Sequence, residues 1–566
     1  REAALAKILV WSRETESGDI AEVNAVNPAY HPGLWSKIRS EGPTCMGKRC
    51  RFFDYCFLQR ARSAVVDSQI VVVNHALLFA ELQDSIVLGN YDHAIIDEAH
   101  DLEEVAAEFF GDQLSPWDFL SAARDLLDDR MPPRGFLPEL REWAERYGDM
   151  PEEFFSCYEA CIAGIKRLEK GVDATFTRLT NELQFQYDWR DAPYTLRERF
   201  YPGEEVFEKT RAYLARLAQV TRSLAADLDR LISGLPPEDD EGLDRITREI
   251  MGRVMSMAEA ASALEYMCEP TDPDSVYWWE SPYRKDSVDS RVCWVPLDVA
   301  ERMHTAFHSQ KRSVVFTSAT MTVAHNFEYI NERLGLDLIE KERLMTMELG
   351  SPYEFQSQLL VLFPDYLPEP GKPGYLPEIA DLIGKISRET RAGSLGLFTS
   401  YRALKKTYGL LAGELAEEGI LALAQGVSGG RSQITRRFTE DRESVLLGTQ
   451  SFWQGVDVRG ESLQILYLTR IPFSVPTDPY FSAQCERIQR LGGDPFGSYT
   501  VPKAVIKFRQ GIGRLIRGEE DVGALVLCDR RLGTRAYGRA FLMSLPVEFE
   551  VVSTTMELVQ KIKRFL

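Results

Sequence analysis

Long hydrophobic runs, abundant cysteine and an excess of positive charge are all missing from this sequence of 566 residues. No apolar run approaches the roughly 20 residues that span a bilayer, so a membrane protein is not expected. The formal charge of -20 argues against a protein that coats nucleic acid nonspecifically, but it leaves room for a local basic groove. The first residues carry no clear export signal, and we therefore expect a cytoplasmic protein.

The composition is that of an ordinary globular protein with several hydrophobic cores. Hydrophobic residues make up 44% of the chain and charged residues 27%, and a chain of this length exceeds what one core can organise. Helical stretches separate most of the strand-like apolar runs, which are 70–73, 94–96, 314–316, 359–363, 395–398, 445–447, 465–468 and 524–527. Such alternation predicts an α/β fold with two parallel sheets, each covered on both faces.

One part of the chain departs from this alternation. Between about Leu114 and Ser281 the pattern changes to the longer period of amphipathic helices, as in Phe154 to Leu183 and Glu205 to Ile232. Strand signals resume near Arg291. We therefore predict a mainly helical domain inserted into the first α/β region.

Two adjacent acids end the apolar run in the segment Ala94 to His100, whose sequence is AIIDEAH. This is the layout of a Walker B site, in which an aspartate holds Mg²⁺ and a neighbouring acid orients or deprotonates the attacking water. Asp97 takes the first role in this interpretation and Glu98 the second. A solvated turn at a strand end is the plainer alternative for the segment taken alone.

Two further segments place polar groups directly after predicted strands. Ser318 and Thr320 follow the strand at 313–317, where parallel strands present ligands. The segment Gly448 to Asp457, with sequence GTQSFWQGVD, combines glycine, hydroxyl, amide and acidic groups. Its glycines would let backbone amides approach phosphates or sugars closely. An ordinary strand-to-helix turn remains the alternative for the first segment, and a loop without a ligand for the second.

A pair of arginines near the carboxyl end suits a phosphate. In the segment Gln510 to Arg517, with sequence QGIGRLIR, Arg514 and Arg517 are three residues apart and would share one face of a helix. Guanidinium groups stabilise the charge of a transferring phosphoryl group, so these residues are candidates for γ-phosphate contacts. A solvated basic helix is the alternative.

These segments, in this order, resemble the superfamily-two helicases of the DinG and XPD group. The resemblance extends to Val71 to Leu78 and to Pro472-Phe473. It implies two RecA-like motor domains, ATP as substrate, Mg²⁺, and 5′ to 3′ translocation on single-stranded and forked DNA in repair or replication. It also implies site roles: the catalytic residues are Asp97, Glu98, Gln510, Arg514 and Arg517, the coupling residues are His100, Ser318 and Thr320, and the nucleotide and DNA interface comprises Thr449, Gln454, Gly455 and Asp457.

Three of the nine cysteines, Cys45, Cys50 and Cys56, lie within twelve residues of one another. From the spacing alone, an iron-sulfur cluster, a zinc site and a loop with free thiols are equally good interpretations. The resemblance to the DinG and XPD group implies that the three thiols are ligands of a 4Fe-4S cluster.

The family's phosphate-binding loop is missing, because no G-x-x-x-x-G-K sequence followed by Ser or Thr occurs in the chain. A fourth cysteine before Cys45 is missing too. We therefore expect an amino-terminally incomplete record of a longer helicase, with little ATPase activity of its own, an exposed sheet centre or edge, and poor solubility.

The resemblance divides the chain into four parts: 1–65 as the remainder of the iron-sulfur domain, 66–113 with 291–325 as the first motor domain, 114–290 as a helical arch, and 326–566 as the second motor domain. The rival interpretations are a non-hydrolysing nucleic-acid-binding protein, the motor part of a helicase with an exonuclease domain, and an RNA helicase. The cysteine cluster and the long helical insertion weigh against the RNA helicase.

Overall fold

The computed structural model of the protein describes residues 2–22, 34, 38–40, 45, 47–84, 87–129, 133–185, 195–201, 203–236, 240–270, 272–282, 290–323, 325–453 and 462–566. The helices are α1 (Glu2–Glu14), α2 (Phe57–Asp67), α3 (His75–Asp84), α4 (Leu102–Phe110), α5 (Pro116–Leu126), α6 (Phe136–Tyr147), α7 (Glu152–Phe185), α8 (Glu205–Ser233), α9 (Glu241–Cys268), α10 (Ala300–Ala306), α11 (Glu328–Leu334), α12 (Phe355–Gln358), α13 (Tyr375–Thr390), α14 (Tyr401–Glu417), α15 (Arg431–Glu440), α16 (Gln450–Trp453), α17 (Pro479–Arg490), α18 (Val501–Ile512), α19 (Arg531–Thr534), α20 (Gly538–Met543) and α21 (Thr555–Phe565). The strands are β1 (His93–Ile96), β2 (Asp112–Leu114), β3 (Thr195–Arg199), β4 (Ser275–Pro282), β5 (Arg291–Pro296), β6 (Ser313–Phe316), β7 (Leu359–Pro364), β8 (Ser394–Leu397), β9 (Ala422–Ala424), β10 (Val445–Gly448), β11 (Ile465–Leu468), β12 (Gly523–Leu527) and β13 (Phe549–Val552).

The chain forms two compact units. The first unit comprises Arg1–Asp92 and Glu104–Asp298, and the second comprises His93–Glu103 and Val299–Leu566. The two segments of the second unit bring the acid box and the later motifs into the same body. The four-domain division inferred from the resemblance stays a prediction.

The first unit contains the predicted helical insertion. The two long helices α7 and α8 coincide closely with the periodic stretches in the sequence, and α9 packs beside them. Their core includes the fully buried side chains of Phe176, Leu214 and Leu264. The same region also holds a four-stranded antiparallel sheet of order β2-β5-β4-β3, which the helical prediction missed. Trp279 of β4 belongs to the helical core, so the sheet and the helices are built around one interior.

The second unit confirms the predicted α/β fold with parallel sheets. Seven parallel strands lie in the order β13-β7-β12-β11-β8-β10-β9, and β1 pairs with β6 in a separate two-stranded parallel sheet. Alternate residues of β11 enter different cores: Leu466 and Leu468 face one, whereas Ile465 and Tyr467 face the other. Helices therefore cover both faces of the larger sheet, as short continuous apolar strands require.

The strand predicted at 70–73 is wrong. This segment has no strand structure, and the side chains of Ile70 and Val72 are 83% and 90% exposed. Within the described part of the chain, β1 pairs only with β6, so the segment has no partner strand. One face of the β1-β6 pair carries Ile95 and Val315, which are opposite each other and exposed.

Candidate active site

The acid box and the Ser-Ala-Thr segment meet at one end of the parallel pair β1 and β6. The backbone N–H of Thr317 donates to the carbonyl of Ile96 at 2.8 Å, and the N–H of Ala99 donates to the carbonyl of Thr317 at 3.1 Å. These bonds continue the strand ladder past the last residue of each strand. Because the strands are parallel, both motifs leave the sheet at the same edge.

Glu98 adopts a left-handed backbone conformation with φ of 50°. The residue begins a single turn of 3₁₀-helix (Ala99–Asp101), and its carbonyl accepts from the N–H of Asp101 at 3.1 Å. Its own N–H donates to Oδ1 of Asp97 at 3.0 Å. The Glu98 side chain remains 62% exposed. The turn thus fixes the Asp97 carboxylate beside the backbone and points the Glu98 carboxylate away from the core.

His100 connects the acid box to two other motifs. Its side chain is only 5% exposed, and its Nδ1 forms a hydrogen bond with Oγ of Ser318 at 2.7 Å. Its Nε2 lies within hydrogen-bond reach of the amide nitrogen of Gln510. The same two ring nitrogens are each 3.3 Å from a carboxylate oxygen, of Glu98 and Asp101 respectively. The imidazole of His100 therefore contacts Ser318, Gln510, Glu98 and Asp101.

The amide of Gln510 has two orientations with opposite consequences for His100. With the amide nitrogen towards the ring, His100 Nε2 is the acceptor and its proton lies on Nδ1, facing Ser318. In this orientation Gln510 Oε1 is buried and, among the described residues, lacks a partner. In a flipped amide, Oε1 would face the ring and accept a hydrogen bond from the N–H of Nε2. The orientation of the Gln510 amide is therefore linked to the tautomer of His100.

A cavity of about 1170 Å³ opens beside these residues. Its charged and polar lining comes from the acid box, from the chain between β6 and α12, from the start of α15, and from the end of α18 with the residues that follow it. The lining includes Glu98, His100, Asp101, Thr320, Thr322, His325, Glu348, Arg431, Arg509, Gln510, Arg514 and Arg517. Carboxylates and guanidinium groups from segments more than 400 residues apart in sequence thus face one space.

Two arginines of this cavity, Arg509 and Arg514, donate to backbone carbonyls. Nε of Arg514 donates to the carbonyl of Trp453 at 3.1 Å. Nη1 of Arg509 donates to the carbonyl and the hydroxyl of Thr322 at 3.0 and 3.2 Å. Burial lowers the pKa of Arg509, against a raising effect of Glu348. These bonds orient the guanidinium groups of Arg509 and Arg514.

The expectation that Arg514 and Arg517 share a helical face is wrong. Helix α18 ends at Ile512 with Gly513 as its cap, and both arginines lie in the turn and extended chain that follow. Both arginines nevertheless line the cavity.

A hydrogen-bonded cluster on the cavity wall involves Glu348. Its Oε2 is 2.9 Å from Nδ1 of His325, and its Oε1 accepts from the hydroxyl of Thr322 at 3.1 Å. The hydrogen bond with His325 lowers the pKa of Glu348, and the bond from Thr322 acts in the same direction. Glu348 is therefore a stable carboxylate near Arg509.

The structure brings together most of the predicted site. Glu98, His100, Thr320, Gln510, Arg514 and Arg517 line the cavity, and Ser318 contacts His100. Thr449 is held elsewhere, because its N–H and hydroxyl both donate to Oε1 of Gln425, at 2.8 and 2.9 Å. Gln454, Gly455 and Asp457 lie outside the described residues.

Sequence reasoning missed four charged residues of the cavity, Asp101, Glu348, Arg431 and Arg509. Arg431 is the first residue of α15 and follows Gly429-Gly430, in the loop after β9. Glycines after a strand are the same signal that predicts a phosphate or sugar contact in the Gly448 segment. Arg509 directly precedes Gln510 in sequence. Glu348 lies in an extended segment without a motif, and no sequence signal points to it.

The three clustered cysteines are free thiols, with Cys45 exposed and Cys50 and Cys56 half-buried. Nε2 of Gln59 lies 3.6 Å from the sulfur of Cys45. No three His, Cys, Asp or Glu side chains of the described residues form a group that could hold a metal ion. The thiols are of the right chemical type for a cluster, but their arrangement here does not supply its ligand geometry.

Comparisons with known proteins match this chain to proteins named DinG and YoaA and to a helicase domain model. The family model for a helicase C-terminal domain matches residues 383–548. The chain is 29% identical over 576 residues to the 3'-5' exonuclease DinG of Bacillus subtilis (strain 168). That alignment covers 98% of this chain and 59% of the Bacillus subtilis protein. Over 546 residues the chain is 29% identical to the ATP-dependent DNA helicase YoaA of Escherichia coli (strain K12), covering 95% and 76%.

Among solved structures, an XPD helicase chain shares 13% sequence identity with a TM-score of 0.48, covering 87% of this chain and 74% of that one. In the part of the chain that is described, no helix combines the length and the hydrophobicity needed to cross a membrane.

Proposed function

The chain is related to the DinG/XPD-type helicases, and on that premise we propose that it is the motor of an ATP-dependent DNA helicase. The observation that carries this proposal is the shared cavity of Glu98, Gln510, Arg514 and Arg517. A carboxylate that can orient water and guanidinium groups that can stabilise phosphoryl charge are the parts that nucleotide hydrolysis requires. Here they come from segments at opposite ends of the sequence and face one space large enough for a nucleotide.

In the proposed reaction, Glu98 orients and deprotonates the water that attacks the γ-phosphate. Arg514 and Arg517 face the charge that develops on the phosphoryl oxygens, and Gln510 positions His100 beside Glu98. The carboxylate of Asp97 is the type of hard oxygen donor that Mg²⁺ prefers, and Asp97 directly precedes the cavity-lining Glu98. Bound there, Mg²⁺ would neutralise phosphate charge.

Coupling to DNA is proposed to run through His100. Its ring contacts Ser318, and Oγ of Ser318 in turn accepts from the N–H of Thr320 at 3.1 Å. Loss of the γ-phosphate would relax Gln510, and the resulting change at His100 would reach the segment after β6. We propose that this segment then changes its contacts with the DNA strand. The interface residues that change with it are Thr449, Gln454, Gly455 and Asp457.

The carboxyl edge of the seven-stranded sheet supports DNA binding. Arg402 follows β8, Arg470 follows β11 and Arg530 follows β12, and all three side chains are exposed. These strands are neighbours in the sheet, so the arginines mark one edge of it. Despite the formal charge of -20, this edge offers guanidinium groups to a phosphate backbone. We propose that single-stranded or forked DNA binds here, with 5′ to 3′ movement, in cytoplasmic repair or replication.

The test is DNA-stimulated ATP hydrolysis and duplex unwinding by the product of the intact gene. Arg514→Ala should lower the hydrolysis rate by about 10³-fold, the lower bound for loss of an arginine that stabilises phosphoryl transfer. Arg539→Ala, an exposed arginine outside the cavity, is the matched control and should leave the rate unchanged. Equal rates for Arg514→Ala and wild type would refute the proposed role of the cavity.

The missing phosphate-binding loop leads to a separate proposal. We propose that the 566-residue chain by itself hydrolyses little ATP, because no backbone cradle of the P-loop type is present to hold the β- and γ-phosphates. Turnover by this chain should stay near the background measured with Glu98→Gln. Clear DNA-stimulated turnover that Glu98→Gln abolishes would contradict the proposal and assign phosphate binding to other residues.

Iron-sulfur binding is proposed for Cys45, Cys50 and Cys56. Support comes from the resemblance and from three free thiols within twelve residues, one exposed and two half-buried. Iron and acid-labile sulfide in the anaerobically purified product of the intact gene would measure it, with about four irons expected per chain. Cys50→Ser should remove the iron and Cys157→Ser, a half-buried thiol of helix α7, should not. A zinc-containing, colourless protein would leave the motor proposal standing and exclude the cluster.

A second candidate is the motor part of a helicase that also carries an exonuclease. The Bacillus subtilis relative is named as a 3'-5' exonuclease, and the chain spans only 59% of it. Degradation of labelled single strands by the product of the intact gene, persisting in Glu98→Gln, would favour this candidate. Absence of degradation in the presence of Mg²⁺ and Mn²⁺ would exclude it.

A further inference from the structure

One wall of the active-site cavity is apolar and takes no part in the proposed hydrolysis. It consists of Tyr353, Phe355, Ile516, Met543, Leu545 and Pro546, which we call the apolar wall. Met543 is 57% exposed, although it is a large hydrophobic side chain. The wall lines the same cavity as Glu98 and the arginines. A cavity that joins a charged part to an apolar part suits a ligand with the same division.

The aromatic side chains of the apolar wall are fixed in place by the arginine segment. The hydroxyl of Tyr353 donates to the backbone carbonyl of Arg517 at 2.8 Å. The rings of Tyr353 and Phe355 lie 6.0 Å apart at an angle of 80°. The N–H of Tyr353 donates to Oγ of Ser351 at 3.1 Å, which orders the backbone of the segment. Tyr353 is therefore a preorganised ring attached to the segment that carries the phosphate-facing guanidinium groups.

A nucleoside triphosphate matches both parts of this cavity. Its phosphates are complementary in charge to Arg514 and Arg517, and its base is a flat, largely apolar ring that stacks on aromatic side chains. At about 1170 Å³ the cavity is at least as large as common small-molecule sites, which occupy roughly 300–1,000 Å³. A purely apolar ligand would leave the arginines unmatched, and inorganic phosphate would leave the apolar wall empty.

We infer that the apolar wall is the subsite for the nucleobase of the nucleotide whose phosphates face Arg514 and Arg517, with the Tyr353 ring as its main stacking surface. This inference rests on the proposed function and extends it, because it assigns base recognition to the segment that enters α12 and to the end of α20. Tyr353 then has two roles: its hydroxyl holds the backbone at Arg517, and its ring contacts the base.

The experiment compares two ligands that differ only in the nucleoside. The affinities of the product of the intact gene for ATP and for inorganic tripolyphosphate are measured with Mg²⁺ present. Tyr353→Leu removes both the ring and the hydroxyl, whereas Tyr353→Phe restores the ring. Arg514→Ala tests the phosphate side, and Tyr213→Leu, a partly exposed tyrosine of α8, is the matched control.

Tyr353→Leu should weaken ATP binding about tenfold, the order of loss expected when one stacking ring is removed from a base, and leave tripolyphosphate affinity unchanged. Tyr353→Phe should recover most of the ATP affinity. If Tyr353→Leu weakens both ligands equally, or neither, the base subsite is refuted. In either case a loss of DNA-stimulated hydrolysis in Arg514→Ala leaves the proposed function standing, and hydrolysis at the wild-type rate by Arg514→Ala overturns the proposed function as well.

Discussion

At the scale of single residues, Glu98 of the acid box combines an unfavourable backbone conformation with a proposed chemical role. Glu98 holds a left-handed backbone conformation, which costs a non-glycine residue of order 1–3 kcal/mol. Asparagine tolerates this conformation better than glutamate does. The carboxylate is 62% exposed, so its charge does little for packing. Stability alone therefore does not explain a glutamate at this position, and the proposed role as general base gives a reason for it.

Replacing Glu98 should accordingly separate stability from activity. Glu98→Asn should raise the free energy of unfolding by about 0.5–1 kcal/mol through relief of backbone strain. The same change should lower ATP hydrolysis by at least about 10²-fold, since it removes the proposed general base. Urea unfolding and DNA-stimulated hydrolysis measure the two effects.

Glu98→Gln is the control for this prediction, because it removes the charge but keeps the strained conformation and the longer side chain. It should lose hydrolysis to the same extent without gaining stability. Equal unfolding midpoints for the two variants would show that the backbone at Glu98 stores no strain.

Several residues predicted from the sequence line one cavity, but their local conformation differs from the prediction. The sequence predicts Arg514 and Arg517 on one helical face beside a phosphate, whereas both lie past the helix end at Ile512. No sequence signal predicts the left-handed backbone conformation of Glu98, because that conformation is typical of glycine, asparagine and aspartate. Glu348 was missed because its position depends on hydrogen bonds with residues 23 and 26 positions away.

At the scale of elements, a buried polar network holds four helices together around the candidate site. Glu103 of α4 is 5% exposed and Arg333 of α11 is 7% exposed, with 3.6 Å between their charged groups. Tyr480 of α17 donates to Glu103 at 3.1 Å, and Arg333 donates to Gln484 at 3.4 Å. Lys503 of α18 lies 5.8 Å from the Tyr480 ring. The network thus links the helix after the acid box to the helix that carries Gln510.

Burial of Arg333 disfavours its charged form, but Glu103 and the neighbouring acidic groups more than offset this and raise the pKa of Arg333. Arg333→Met should therefore destabilise the protein by about 3–5 kcal/mol, because it leaves Glu103 buried without its cation. Adding Glu103→Gln to this variant should restore part of the loss. Chemical unfolding measures the free energy of unfolding of the single and the double variant, with the exposed Arg539→Met as control. Additive losses in the double variant would exclude a direct pair.

Among the elements, buried strands are easier to predict from the sequence than edge strands. The buried strands β7, β8, β10, β11 and β12 were all found, since a short apolar run with helices on either side has few other interpretations. The run at 70–73 has the same composition but lacks a partner strand among the described residues. The edge strands β9 and β13 were missed, because short strands covered on one side carry a weaker pattern.

At the scale of the whole molecule, each unit has a hydrophobic core of its own. The core of the first unit includes Leu264 of α9, which is fully buried among the long helices. The cores of the second unit lie on the two faces of the seven-stranded sheet, and Leu466 of β11 is fully buried in one of them. No residue belongs to the cores of both units in the described part of the chain. Separate cores predict separate unfolding transitions.

Calorimetry on the product of the intact gene should therefore resolve a transition for each unit. Leu264→Ala and Leu466→Ala each remove a fully buried side chain, at a cost of about 2–5 kcal/mol. Each should lower the midpoint of one transition by on the order of 10 °C and leave the other in place. Leu410→Ala, at a position that is 43% exposed, is the control and should shift neither midpoint. If either core variant lowers both midpoints together, the two units unfold as one cooperative body.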